Sequence, residues 1–191
     1  MKSLIAEIRK CSICLPYLEH GVRPVFSASY DSKIAIIGQA PGRIVHQTGK
    51  PWDDKSGIRL REWMKVSEDD FYNPSNFAIV PMGFCYPGKG KSGDLPPRKE
   101  CAPQWHNILL DKMNHIELIL LIGSYAQTYY LKDSKKRTLT DTVESYNEYL
   151  PTFFPLPHPS PRNNIWMKKN EWFKKEVIPS LQKKVSTILN K

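Results

Sequence analysis

The sequence predicts an α/β protein, a three-layer αβα sandwich with a central four-stranded, mainly parallel sheet. Three observations predict it. Four short apolar runs are separated by stretches with helical apolar spacing, the alternation that produces parallel strands joined by crossover helices. Two of these runs lead directly into Gly- and Pro-rich strings, Gly38-Gln39-Ala40-Pro41-Gly42 and His158-Pro159-Ser160-Pro161-Arg162, at the strand-to-loop positions where open parallel sheets form a ligand crevice. The chain has 191 residues and neither an internal repeat nor a long linker. One domain spanning 1–191 is expected, large enough to bury about 70% of its unfolded surface.

Taken in order, Leu4, Ile5 and Ile8 suit a short amphipathic helix that ends near Cys11. Lys33–Ile37 reads as the first buried strand. After the first Gly-rich string, Ile58, Leu60, Trp63 and Met64 give Gly57–Met64 a helical face. Phe77–Val80 is the second strand. Tyr86–Pro97 is dense in Gly, Pro and Lys and is expected to be an irregular exposed loop. Trp105–Met113 reads as a helix, Ile116–Ile122 as the clearest strand, and Gly123-Ser124 as the start of a helix through Leu131. Thr152–Leu156, between two prolines, is the fourth strand. From Asn170 to Leu189, Trp172, Phe173, Val177, Leu181, Val185 and Leu189 keep helical spacing, with Pro179 expected to kink or interrupt it.

Composition narrows the function classes. The net charge is +9, from 28 Lys plus Arg against 19 Asp plus Glu, a surface that attracts polyanions with salt-dependent affinity or serves solubility alone. No run approaches the roughly 18 apolar residues of a membrane span. Lys2, Glu7, Arg9 and Lys10 interrupt the apolar residues of the first ten positions, unlike a secretory leader. A cytoplasmic protein with no membrane partner is expected.

Cys11 and Cys14 are separated by two residues, Cys85 and Cys101 by fifteen. A Cys-x-x-Cys pair presents two thiols to one ion or cluster, and the later pair can complete four ligands. Reducing conditions disfavour disulfides. An iron–sulfur cluster, zinc, or four unlinked cysteines remain open on chemistry alone.

The string Gly38–Gly42, then Thr48-Gly49-Lys50-Pro51-Trp52 and Ser56-Gly57, resembles the first motif of the bacterial and archaeal iron–sulfur branch, the fourth family, of the uracil-DNA glycosylase superfamily. There the pattern is Gly-Glu-Ala-Pro-Gly followed by Thr-Gly-Arg-Pro-Phe. His158-Pro159-Ser160-Pro161-Arg162-Asn163 is similar to the second motif of the single-strand-selective branch. The resemblance runs from about Cys11 to Asn163. It implies a four-iron, four-sulfur cluster on Cys11, Cys14, Cys85 and Cys101, with a structural role, and zinc as the alternative.

The resemblance also implies roles. An everted base occupies a pocket built by Gly38, Gln39, Ala40, Pro41 and Gly42, stacked on Trp52 where the family has Phe. His158 donates a hydrogen bond to the base as negative charge builds on it, because cleavage leaves an anionic base and a cationic sugar. Ser160, Pro161, Arg162 and Asn163 form the loop that meets the DNA backbone and minor groove. Each has a plainer reading: a loop histidine bonded to backbone, a core tryptophan, a tight turn without ligand.

Departures from the family pattern bear on mechanism. Gln39 stands where the iron–sulfur enzymes have Glu, and Ala40 where the common uracil-DNA glycosylases have Asp. Asp54, shortly before Ser56-Gly57, is the first candidate for water activation or stabilisation of the sugar cation, Asp53 the second and His46 a third. The alternative for the aspartates is capping of the following helix. Pro81 stands where the family reads uracil with Asn, which opens selectivity to hypoxanthine or an altered pyrimidine. Lys89, Lys91, Arg98 and Lys99 are expected to form a basic loop along the DNA backbone.

The expected function is a monomeric, monofunctional base-excision repair glycosylase. It hydrolyses the N-glycosidic bond of a flipped deaminated base in DNA, uracil first, leaving an abasic site. The alternatives are a non-catalytic or covalently trapping DNA-binding member of the same fold, and a zinc-stapled protein acting on free nucleotides. All the DNA readings require residues 38–42 and 158–163 to share one cavity.

Overall fold

The computed structural model describes residues 1–190. Its centre is an all-parallel sheet of β1 (Ile34–Ile37), β2 (Phe77–Ile79), β5 (Leu118–Ile122) and β6 (Phe153–Leu156), ordered β2-β1-β5-β6, with the hairpin strands β3 (Lys89–Gly90) and β4 (Gly93–Asp94) apart from it. Every strand of the sheet falls within one or two residues of its sequence expectation, because short runs such as Ile34-Ala35-Ile36-Ile37 are buried on both faces and read as continuous apolar segments. Register is unbroken: Ile36 faces Ile79 on one side and Leu120 on the other, and Leu120 faces Phe154.

Strand alternation assigns the layers. Ile34, Ile36, Leu120, Phe154 and Leu156 point to one face, where they meet α3 (Lys55–Met64), α7 (Leu139–Glu144), α8 (Asn164–Lys169) and α9 (Ile178–Leu189) through Leu60, Val143, Met167 and Leu181. On the other face Ala35, Ala78 and Val80 pack on Leu4 and Ile8 of α1 (Lys2–Arg9) and on Trp105 and Leu109 of α5 (Cys101–Leu110), while Ile37 and Leu121 pack on α6 (Ser124–Leu131). Two short helices complete the set, α2 (Arg43–Thr48) and α4 (Glu68–Tyr72).

Two expectations need correction. Tyr86–Pro97 is not simply an irregular exposed loop: Tyr86 is buried, and Gly93, with φ +150°, turns β3 back into β4 at a backbone angle open to glycine. The helix expected over 105–113 starts at Cys101 and ends at Leu110. The last helix is interrupted just before Pro179, as its sequence leads one to expect: a wide π-turn over Phe173–Val177 gives way to α9, with Pro179 in the first α-turn, where its missing N–H breaks the regular ladder.

The chain runs from β1 outward to β2 and then crosses back to β5. The carboxyl ends of β1 and β5 therefore flank the switch point, the position where open sheets bind ligands.

Candidate functional site

Residues 38–42 leave β1 and residues 157–163 leave β6, and both strings line one cavity of about 460 Å³ at that carboxyl edge, within the range of small-molecule sites. Gly38, Gln39, Ala40, Pro41, Gly42, Trp52, Asp54, Pro81, His158, Ser160, Arg162 and Asn163 all contribute to its wall. The convergence on which the DNA readings depend is present.

The first loop is held by the segment after β2: Met82 N–H donates to Gly38 O (2.8 Å) and Gly83 N–H to Gln39 O (3.0 Å). Gly38 is glycine for a steric reason, since a Cβ there would lie 2.9 Å from Cζ2 of Trp52. Trp52 itself has φ +56°, a left-handed conformation that costs a non-glycine residue about 1–3 kcal/mol. Its carbonyl accepts from Tyr72 Oη (3.3 Å) and would lie only 1.8 Å from a Cβ on Gly57. Gly57 thus lets α3 start directly beneath this carbonyl. The indole packs on the core and also lines the cavity, its ring 5.6 Å from that of His158.

The second loop is braced from within and from α3. Asn163 Nδ2 donates to His158 O (2.7 Å), and Arg59 Nη1 donates to Ser160 O (3.2 Å) and Asn164 Oδ1 (2.9 Å). Ser160 N–H donates to Nδ1 of His158 (3.2 Å), so Nδ1 accepts and the neutral ring carries its proton on Nε2. Burial holds the His158 pKa below the usual histidine value, with Asp54 pulling in the opposite direction. A neutral imidazole with Nε2–H free to donate is the result.

Of the candidate acids and bases, Asp54 lines the cavity, and its Oδ1 caps α3 by accepting from Gly57 N–H (2.9 Å). The capping reading therefore holds beside the functional one. Asp53 and His46 lie outside the cavity wall. His46 is packed beside His20 and Tyr86, and its pKa is lowered by burial and then by Arg23. Sequence reading missed Ser92, Gly93 and Asp94, which bring the β3–β4 hairpin to the cavity. The hairpin is tied to both loops, by Gln39 Nε2 to Leu95 O (3.2 Å) and Arg162 Nη1 to Ser92 O (2.9 Å). Lys89 and Lys91 are exposed on it. Arg98 is a correction to the expected basic loop: it pairs with Glu100 (2.6 Å) and covers the Tyr17 ring.

Cys11, Cys14, Cys85 and Cys101 line a second, smaller cavity with Ile13, Val22, Phe84 and Trp105, and none forms a disulfide. Phe84 N–H donates to Sγ of Cys101 (3.3 Å). Burial raises the thiol of Cys14, that of Cys85 to about 11 and that of Cys101 to about 12. Among the described residues, no three His, Cys, Asp or Glu side chains form a ready site for a metal ion. No described helix is long and apolar enough to cross a membrane.

A cavity at the switch point of a parallel sheet, walled by an imidazole, an indole and carboxylates, is the ligand crevice of an open α/β fold. The particular family follows from comparison: residues 24–182 match the model of the uracil DNA glycosylase superfamily, and the chain belongs to it. It is a DNA repair glycosylase. A type-4 uracil-DNA glycosylase of Thermotoga maritima is 24% identical over 165 residues, covering 81% of each chain.

Proposed function

We propose that this protein is a monofunctional glycosylase that removes a deaminated base, uracil first, from DNA, working as a cytoplasmic monomer. The carrying observation is the shared cavity, in which the His158 donor and the Trp52 ring converge from loops about 100 residues apart in sequence. Flipping the nucleotide costs a few kcal/mol, least where the base is mispaired or single-stranded, and stacking on an indole returns part of this.

With the base in place, Nε2–H of His158 donates to its carbonyl oxygen as the C1′–N bond breaks and charge builds there. Its tautomer is set by Ser160 N–H, and its neutrality by burial. Asp54 supplies negative charge that stabilises the sugar cation while it caps α3. Pro81 offers no side-chain amide on the wall, which supports a selectivity broader than uracil, reaching hypoxanthine. Ser160 and Arg162 meet the phosphates, with Lys89 and Lys91 following the backbone. Among the described residues, no lysine lines the cavity, which supports release without a Schiff base.

The four cysteines are the residues to hold a four-iron, four-sulfur cluster. Two observations support it: the four share one largely apolar cavity, and Phe84 N–H already donates to Sγ of Cys101, as backbone amides do to cluster-bound sulfur. When bound, such a cluster replaces thiol protons with bonds that pin residues 11–14, the segment after β2 and the start of α5 together.

The test is release of free base from single- and double-stranded oligonucleotides carrying uracil, hypoxanthine, xanthine or a normal control. Release from a deaminated base is the expected result. A strand bound but uncut identifies a DNA-binding member without catalysis, the reading favoured by Gln39 in the place of an acid.

A further inference from the structure

Two carboxylates line the cavity, Asp54 and Asp94. Asp54 is anchored, its Oδ1 committed to the N-terminus of α3. Asp94 is differently placed. It ends β4, opposite Lys89 in the hairpin ladder, and the residues around it are tied to the two motif loops: Ser92 to Arg162 of the second (2.9 Å), Leu95 to Gln39 of the first (3.2 Å). The backbone on either side of Asp94 is thereby tied to both loops, and its side chain stays exposed at the cavity wall. Oδ1 accepts from Tyr86 Oη over 3.5 Å, too long to account for the placement. Oδ2 lies beside Gly42, 3.4 Å from where a Cβ would stand. The small Gly42 leaves this oxygen facing the loop whose motif acid is replaced by Gln39 and Ala40.

We propose that Asp94 is the carboxylate that activates the attacking water, in place of the acid missing from residues 39 and 40. The inference rests on the glycosylase reading above. The C1′–N bond breaks with its electron pair passing to the base, where the His158 donor meets the charge. The water oxygen bonds to C1′, and the proton it loses goes to Asp94 and from there to the solvent. Asp54 keeps the electrostatic role and the cap, so the two carboxylates divide the work.

The experiment is single-turnover base release from a uracil-containing single strand, with the holoprotein in excess. Asp94→Asn retains an acceptor for Tyr86 and removes the charge. Base release falls at least about 100-fold, the scale of general-base catalysis, with affinity for the uracil strand unchanged. Asp94→Ala falls further, and added formate restores part of its rate, a rescue that a purely structural role does not give. Wild-type release with Asp94→Asn within about threefold of it overturns the assignment and leaves the glycosylase reading standing. A wild-type protein that releases no base from any strand overturns both. A wild-type adduct between protein and strand on a denaturing gel overturns water activation, since the nucleophile is then a side chain.

Discussion

His106 offers the sharpest test of how the cavity wall is supported. It is fully buried in α5, with Nε2 3.0 Å from Pro81 O and Nδ1 2.6 Å from Tyr130 Oη. The Pro81 carbonyl can only accept, so Nε2 carries the proton and Nδ1 accepts from the tyrosine hydroxyl. Both bonds are made by the neutral ring, and burial lowers the pKa from 6.5 to about 4. A group whose folded pKa lies below its unfolded value binds more protons when unfolded, so its contribution is present above pH 6.5 and lost as pH falls toward 4. Between pH 7 and pH 5 the loss amounts to about 2 kcal/mol. His106→Gln can keep a donor and an acceptor but does not titrate. Urea unfolding at several pH values measures the difference: the wild type loses about 2 kcal/mol more than the variant over that window. An equal loss in both proteins refutes a neutral, buried His106 as the support of Pro81.

Four further outcomes follow from the geometry. Gly57→Ala drives a methyl into the Trp52 carbonyl, 1.8 Å away, and lowers stability by about 3 kcal/mol or more by denaturant unfolding. Asp54→Ala loses the α3 cap, about 1 kcal/mol in the same assay, whereas Asp54→Asn retains the cap and loses only the charge, so slower release by the stable Asn variant isolates the electrostatic role. His158→Ala removes the donor to the leaving base and slows single-turnover release by about 10²- to 10³-fold. Cys101→Ser removes one of the four thiols proposed to hold the cluster; visible absorbance falls and the unfolding midpoint with it.

Much of this architecture is legible in the sequence because the strands are buried on both faces. Runs such as Leu118-Ile119-Leu120-Leu121-Ile122 admit few alternatives, and the Gly-rich string after Ile37 marks the crevice. The short helices are harder to read. α4 and α7 have five and six residues, too few for an apolar period. Their caps, Ser67 with Asp70 and the box of Thr138 with Asp141, are local signals that identify their starts. The hairpin is the instructive omission. Its strands of two residues each carry no alternation, and its position depends on the distant partners Gln39 and Arg162. Nothing local marks Asp94 as a cavity residue. Trp52 is ambiguous for a different reason: it is at once core and cavity wall, a dual state that one residue type cannot disclose. For the cysteines, spacing brings candidates together but does not choose the metal.

The proposed function turns on a nucleobase occupying the space between Trp52 and His158, and a crystal structure of the holoprotein with bound uracil shows whether it does. The expected complex has the ring stacked on the Trp52 indole, a carbonyl oxygen within hydrogen-bond distance of His158 Nε2, and His158 Nδ1 still accepting from Ser160. Uracil bound elsewhere, or in the cavity with His158 turned away from it, rules that mode of base recognition out.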